Sequence, residues 1–208
     1  MKEGLLLFGN LFKKKDPIEK FWQYFIDHEK KLYNLREDDI EKIYGDLYRL
    51  INKVNNQLTF STPVALINGK REFTIKASSI GKNFPDVIRL VDAAPAMEKF
   101  TIIAFEQRND GEDGTTVNDI MLTRDDVFFN YTYDQEYTAF YLKLYIKGFE
   151  EENDDYYQVT FDLLELVIGE YVLGTEITEI EFNKFYTADD LLPINDLAKI
   201  LDKIKLGK

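Results

Sequence analysis

The chain has 208 residues, of which 45% are hydrophobic and 14% aromatic, enough to bury one sizeable core without covalent staples. It contains no cysteine and a single histidine, which excludes disulfides, cysteine nucleophiles and cysteine-based metal sites and favours a reducing compartment. The net charge of −12 repels phosphate backbones and anionic lipid, so we expect neither a nucleic-acid partner nor a membrane partner.

Two short clusters near the N-terminus do not change this expectation. The apolar run Leu5-Leu6-Leu7-Phe8 is shorter than the roughly 7–15 residues of a signal-peptide core. The basic run Lys13-Lys14-Lys15 is too short to offset the acidic charge. No segment approaches the ~18 apolar residues of a membrane span, so we predict a soluble chain. The short apolar run predicts no export signal, and the absence of cysteine predicts a cytoplasmic protein.

Two amphipathic helices are predicted next. Asp16-Pro17 is typical of a helix start, because the aspartate caps the first amides and the proline already has a helical φ. The apolar stripe of the first helix consists of Ile18, Phe21, Phe25, His28, Leu32 and Leu35, with Trp22 beside it. The stripe of the second helix consists of Ile40, Ile43, Tyr44, Leu47, Ile51 and Val54. Together they predict a helical hairpin over 17–57.

A first ββαβ unit is predicted over 58–108. From Leu58 onwards the pattern alternates, and Asn68-Gly69 is a strong signal for a hairpin turn between two strands. Phe84-Pro85 opens a short helix that Pro95 ends. Residues 100–108 then follow as a strand with an apolar centre that is buried on both faces.

The same order of elements recurs over 127–182. Strands at 127–133 and 137–147 flank the turn Asp134-Gln135-Glu136, and a helix at 156–172 and a strand at 176–182 follow. A turn at 109–115 and a short segment at 120–122 join the two units, and a last helix is predicted over 193–205. We therefore predict one α+β domain spanning 1–208, with a mixed, largely antiparallel sheet and helices packed on it.

Several blocks of the sequence share a resemblance. The blocks are FWQYF at 21–25, REFTIKAS at 71–78, FPDVIRLVDAAP at 84–95, IIAFEQR at 102–108 and GEYVL at 169–173. They resemble a family of uncharacterised bacterial proteins over most of the chain. Where that family is expected to read HPDL and TFE, this chain has Asn55-Asn56-Gln57-Leu58 and Thr59-Phe60-Ser61. The resemblance implies the fold and no function.

Few residues are candidates for catalysis or metal binding. The lone His28 lies on an apolar stripe, where a packing role is favoured over a pH switch. Asp162 and Glu165 lie three apart on one polar line of a helix, and such a carboxylate pair can serve acid–base chemistry or hold a divalent cation. The favoured alternative is that Asp162 and Glu165 form the solvent-exposed polar edge of an otherwise apolar helix. We predict no catalytic residue, no metal site and no cofactor.

Two acidic segments have simpler interpretations. A calcium loop that starts at Asp110 needs an oxygen-bearing side chain at its fifth position, where Gly114 stands, so we predict a solvated turn. The acidic run at 150–155 precedes a predicted helix, where negative charge interacts favourably with the helix dipole.

One surface is predicted to bind a partner. If the strands form a single sheet, one of its faces gathers Thr74, Lys76, Glu106, Arg108, Tyr141, Lys143 and Tyr145. Tyrosines mixed with charges are typical of recognition surfaces. The alternatives are an ordinary solvated face or a face covered by the N-terminal helices.

Two classes of function follow from these features. The first is a small acidic interaction module, an adaptor or immunity-like protein that binds an unknown protein partner through the sheet face. The alternative is an enzyme or small-ligand binder that uses carboxylates and tyrosines in a pocket. The sequence favours the interaction module over the enzyme.

Overall fold

The computed structural model describes residues 16–35 and 37–206, apart from the side chains of 37–39 and 206. The apolar run at 5–8 and the lysines at 13–15 lie outside the described residues. The helices are α1 (Pro17–Asn34), α2 (Glu37–Ile51), α3 (Phe84–Asp92), α4 (Asp154–Ile168), α5 (Glu170–Glu176) and α6 (Leu197–Leu206). The strands are β1 (Thr59–Ser61), β2 (Arg71–Lys76), β3 (Phe100–Ala104), β4 (Gly114–Val117), β5 (Ile120–Thr123), β6 (Val127–Asp134), β7 (Ala139–Ile146), β8 (Glu179–Lys184) and β9 (Leu192–Pro193). The predicted α+β class is confirmed.

The N-terminal helical pair forms as predicted. The amide of Ile18 donates to Oδ1 of Asp16 at 2.8 Å, so the aspartate caps α1. Four residues of the predicted stripe of α1 are buried, Ile18, Phe21, Phe25 and Leu32, while His28 and Leu35 are half-buried. α1 packs against α2. The indole Nε1 of Trp22 donates to the carbonyl of Leu90 at 2.8 Å, which ties α1 to α3. None of the helices in the described ranges is both long and apolar enough to cross a membrane.

The first ββαβ unit forms a three-stranded sheet in the order β1-β2-β3. β1 and β2 are antiparallel, and the chain between them turns at Asn68-Gly69, where φ is 51° and 77°. Because α3 carries the chain back across the sheet, β3 runs parallel to β2, with Arg71 opposite Phe100. One face of this sheet packs on α1, α2 and α3 and forms the first hydrophobic cluster.

The second ββαβ unit repeats this arrangement. β6 and β7 are antiparallel, and β8 runs parallel to β7 after the helices α4 and α5. The two-residue β9 is added beside β6, giving the order β8-β7-β6-β9. The inner face of this sheet packs on α4 and α6 and forms the second hydrophobic cluster.

The strands form separate sheets rather than the single sheet that the sequence suggested. The predicted strand at 100–108 ends at Ala104, because Phe105 has a φ of 68° and turns the chain out of the sheet. The predicted short segment at 120–122 belongs to a hairpin of β4 and β5 that packs on α4. The predicted helix at 156–172 is divided at Gly169, whose φ of 81° creates a corner between α4 and α5.

The position of Trp22 yields a stability prediction. Its side chain is 4% exposed and lies between Phe21 and Phe25, so Trp22→Ala removes ring contacts as well as the hydrogen bond to α3. We expect a loss of about 3–5 kcal/mol in the free energy of unfolding, measured from denaturant midpoints. A loss below about 1 kcal/mol would mean that α1 is peripheral to the core.

Candidate functional site

A buried carboxylate joins the two ββαβ units. Glu170 is the first residue of α5 and is 0% exposed. Its Oε1 accepts hydrogen bonds from the amides of Ala77 at 2.5 Å and Ser79 at 3.2 Å. Its Oε2 accepts a hydrogen bond from the amide of Glu106 at 2.9 Å. All three donors belong to the first unit, at the carboxyl ends of the parallel strands β2 and β3.

Local backbone geometry places these amides around the carboxylate. Ser78, Ser79 and Phe105 have φ values of 50°, 57° and 68°, so both strands turn sharply as they end. The amide of Glu170 donates in return to the carbonyl of Glu106 at 2.9 Å. The hydrogen bonds of Glu170 across the contact are therefore all made with main-chain groups, and beside them the ring of Tyr171 packs on those of Phe84 and Phe105.

A second carboxylate lies beside the first. Glu165 of α4 is 8% exposed, and its Oε1 accepts a hydrogen bond from the hydroxyl of Ser79 at 2.7 Å. Burial raises the pKa of the Glu165 carboxyl to about 7, although the hydrogen bond from Ser79 opposes the shift. The nearby charge of Glu170 adds to it, while Lys76 opposes it.

Lys76 places a positive charge beside these carboxylates. Nζ of Lys76 lies 3.1 Å from Oε2 of Glu106. Burial lowers the pKa of Lys76, but the carboxylates around it more than offset that effect, so its pKa is raised. Burial also raises the pKa of Asp162, with Lys76 opposing the shift and Glu106 adding to it. The junction thus gathers the predicted carboxylate pair, Asp162 and Glu165, around Lys76.

The contacts at this junction are structural. Glu165 and Glu170 each bind groups of the opposite unit, so these contacts account for their burial without a ligand. Within the described residues, no group of three or more histidine, cysteine, aspartate or glutamate side chains is placed to hold a metal ion. We interpret the junction as the joint between the units.

The structure does not bring the seven residues of the predicted binding face together. Thr74 and Lys76 lie on β2 of one sheet, whereas Tyr141, Lys143 and Tyr145 lie on β7 of another. The premise of one continuous face is therefore wrong, because β2 and β7 belong to separate sheets.

Several of the seven residues are also buried or already paired with another side chain of the chain. Thr74 is 6% exposed, and Tyr145 is 9% exposed because Tyr186 packs edge-on against its ring at 5.2 Å. Lys76 and Glu106 are paired with each other at the junction.

Arg108 of the predicted face fixes the C-terminal helix. Its Nη1 and Nη2 donate to the two carboxylate oxygens of Asp202 in α6 at 2.8 and 2.9 Å. Its Nε donates to the carbonyl of Ile168 at 3.1 Å. Hydrogen bonding to Asp202 raises the pKa of Arg108 and lowers that of Asp202.

Two residues of the predicted face remain on an open surface. Tyr141 is 38% exposed, and Lys143 forms an ion pair with Glu181 of β8 at 2.8 Å, with about half of each side chain exposed. The strand register places Thr132, Tyr141 and Glu179 in one row across β6, β7 and β8. These residues line a shallow groove of about 290 Å³ on the outer face of the second sheet, together with Leu142, Lys143 and Glu181.

The minor candidates behave as the sequence suggested. His28 lies half-buried, with Nδ1 at 2.8 Å from the carbonyl of Tyr24 and its ring stacked on that of Tyr24 at 4.0 Å. Asn153 caps α4 through its side chain, with two aspartates of the acidic run in the first turn. In the loop after β3, Oδ1 of Asn109 accepts from the amide of Gly111, which closes a small exposed turn.

Sequence reasoning missed Glu170 and Ser79. The available signal was the pair Gly169-Glu170 inside an apolar helical stretch, where a glycine marks a corner and a carboxylate needs donors. The donors themselves are main-chain amides more than 60 residues earlier, which no side-chain pattern indicates.

The pKa of Glu165 yields a prediction for stability against pH. The folded-state pKa of about 7 lies above the ordinary value of 4.5, so the protonated side chain stabilises the fold at low pH and this contribution is lost as the pH rises through 7. Glu165→Gln removes the penalty of the charged form. We expect its free energy of unfolding, relative to the native protein, to rise by about 3 kcal/mol between pH 4 and pH 8.

The measurement is chemical denaturation at each pH for both proteins, with Glu152→Gln at an exposed position as the matched control. The other titrating groups contribute nearly equally to the free energy of unfolding of each protein, so their contributions cancel when the proteins are compared. If the relative stability of Glu165→Gln is constant over this range, the pKa of Glu165 is not raised and the junction does not withdraw its carboxyl from water.

Comparisons of the chain with protein-family models, with curated proteins and with solved structures each found no match.

Proposed function

We propose that this protein is an interaction module, of the adaptor or immunity-like kind, that binds a basic protein partner through the outer face of its second sheet. The observation that carries the proposal is the exposed ring of Tyr141, set in an open groove among charged side chains. We assign the protein to the cytoplasm, because a chain without cysteine suits a reducing compartment.

The composition of this face suits recognition. A tyrosine offers a large, rigid contact area with a polar tip, and it loses little conformational freedom when it binds. The ring of Tyr141 is only partly covered, so a partner can complete its burial. The β-sheet beneath it is held by the core of the second unit, which keeps the face rigid.

The charge of the face favours a basic partner. Glu179 and Glu181 of β8 lie opposite Tyr141 and Lys143 of β7, and the whole chain has a net charge of −12. Such a field attracts a partner with a positive surface and accelerates encounter. An arginine of the partner can stack on the Tyr141 ring and pair with Glu179 at the same time.

The alternative hypothesis, an enzyme or ligand binder, is less well supported by the geometry. Its carboxylates, Asp162 and Glu165, are gathered with Glu106 as that hypothesis requires. However, Glu165 is 8% exposed and is engaged with Ser79 in joining the units. A buried joint is a poor place for a substrate to enter.

The prediction from this proposal concerns Tyr141 and its neighbour Tyr145. A randomised library of displayed 12-residue peptides, selected on the native protein, should yield sequences rich in arginine and lysine. We expect these peptides to bind Tyr141→Ala at least about tenfold more weakly. We also expect Tyr141→Ala to lose less than about 1 kcal/mol of stability, whereas the more buried Tyr145→Ala loses more.

Tyr137→Ala is the matched control, because Tyr137 is 73% exposed and lies in the β6–β7 turn. It should keep full peptide binding. Selected peptides that bind Tyr141→Ala and the native protein equally well would contradict the proposal.

A further inference from the structure

The strand β8 offers a free edge. In the described part of the chain β8 pairs only with β7, on one side. The amide of Phe185, just after β8, donates to the carbonyl of Ile146 in β7. Successive residues of a strand present their main-chain groups to opposite edges, so those of Ile180 and Phe182 point away from β7. Thr178, just before the strand, departs from this alternation, because its amide donates to the carbonyl of Phe140.

An apolar groove runs beside this edge. It has a volume of about 290 Å³ and lies between β8 and the helices α4 and α5. The helices contribute Phe161, Leu173 and Gly174 to its lining, and β8 contributes Ile180 and Phe182. Phe161 is 38% exposed, so this wall of the groove is open to a ligand.

The two sides of the edge differ in character. On the inner side lies the apolar groove, and on the outer side lie Glu181 and Tyr141. Glu179, at the start of β8, lines both. Glu181 is paired with Lys143, whereas Glu179 has no ion-pair partner within 4 Å among the described residues. An extended chain placed along β8 would meet apolar groups with one set of alternate side chains and negative charge with the other set.

We propose that the partner binds by adding an extended segment as a further strand on β8, with apolar residues entering the groove and alternate lysines or arginines lying over Glu179 and Tyr141. This inference rests on the proposed function and specifies its mode of binding. Main-chain hydrogen bonds to Ile180 and Phe182 supply affinity, and the alternating side chains supply selectivity. The charge of −12 selects a basic segment over an acidic one.

The test uses three synthetic peptides of equal charge and nearly equal composition. The first alternates lysine and valine over eight residues, the second has the same residues as a block of four lysines followed by four valines, and the third is the alternating peptide N-methylated at its four central amides. Affinity is measured by titration at physiological salt. We expect the second and third peptides to bind at least about tenfold more weakly than the first, because neither satisfies the edge and the groove together.

Hydrogen exchange of the protein amides gives the second readout. Addition of the alternating peptide should slow exchange at Ile180 and Phe182 and leave Glu181, whose amide already faces β7, unchanged. Phe161→Ala should weaken binding of the alternating peptide, and Ile88→Ala, at an exposed position of α3 in the first unit, should not. Equal affinity of all three peptides would show charge attraction alone and would overturn the proposal.

Two other outcomes are also decisive. If binding depends on Tyr141 but tolerates N-methylation, the outer face binds a partner and strand addition is wrong. If Ile180 and Phe182 are protected without peptide and the protein sediments as a dimer, the edge is occupied by a second copy of the chain and the partner segment is excluded.

Discussion

The fold depends on how one buried carboxylate is satisfied. Glu170 is withdrawn from water completely, and a carboxylate in that position is tolerated only when hydrogen-bond donors replace the lost hydration. Here the donors are three main-chain amides at the carboxyl ends of two parallel strands. Because these amides belong to one ββαβ unit and the carboxylate belongs to the other, satisfying the charge requires the two units to dock.

The rest of the junction follows from that requirement. Gly169 allows the corner that turns the start of α5 towards the first unit, and a side chain at Gly174 would lie 2.5 Å from both the Ser79 carbonyl oxygen and the Phe84 ring. The close approach brings Glu165 against Ser79 and close enough to Lys76 for their charges to interact. It also leaves α4 and α5 beside the free edge of β8, so the joint positions the apolar groove.

Local signals predicted the elements, and long-range packing decided the rest. Asp16-Pro17 and Asn68-Gly69 specify a helix start and a turn by their own chemistry, so both were predictable. The alternating pattern of β7 predicted which side chains face inward and which face outward, but not which of the outward ones are covered by other residues. Tyr145 is covered by Tyr186, which lies 41 positions later. Alternation also does not indicate whether strands share a sheet, and here they form separate sheets.

The most direct test of this account is residue-resolved hydrogen exchange of Glu170→Gln. A glutamine can accept hydrogen bonds at one oxygen only, so at least one of the three amides loses its acceptor. We expect the amides of Ala77, Ser79 and Glu106 as a group to exchange at least about tenfold faster, relative to Phe73 in the centre of β2, than they do in the native protein. If the three amides and Phe73 accelerate together, or none changes, the carboxylate is not what joins the units.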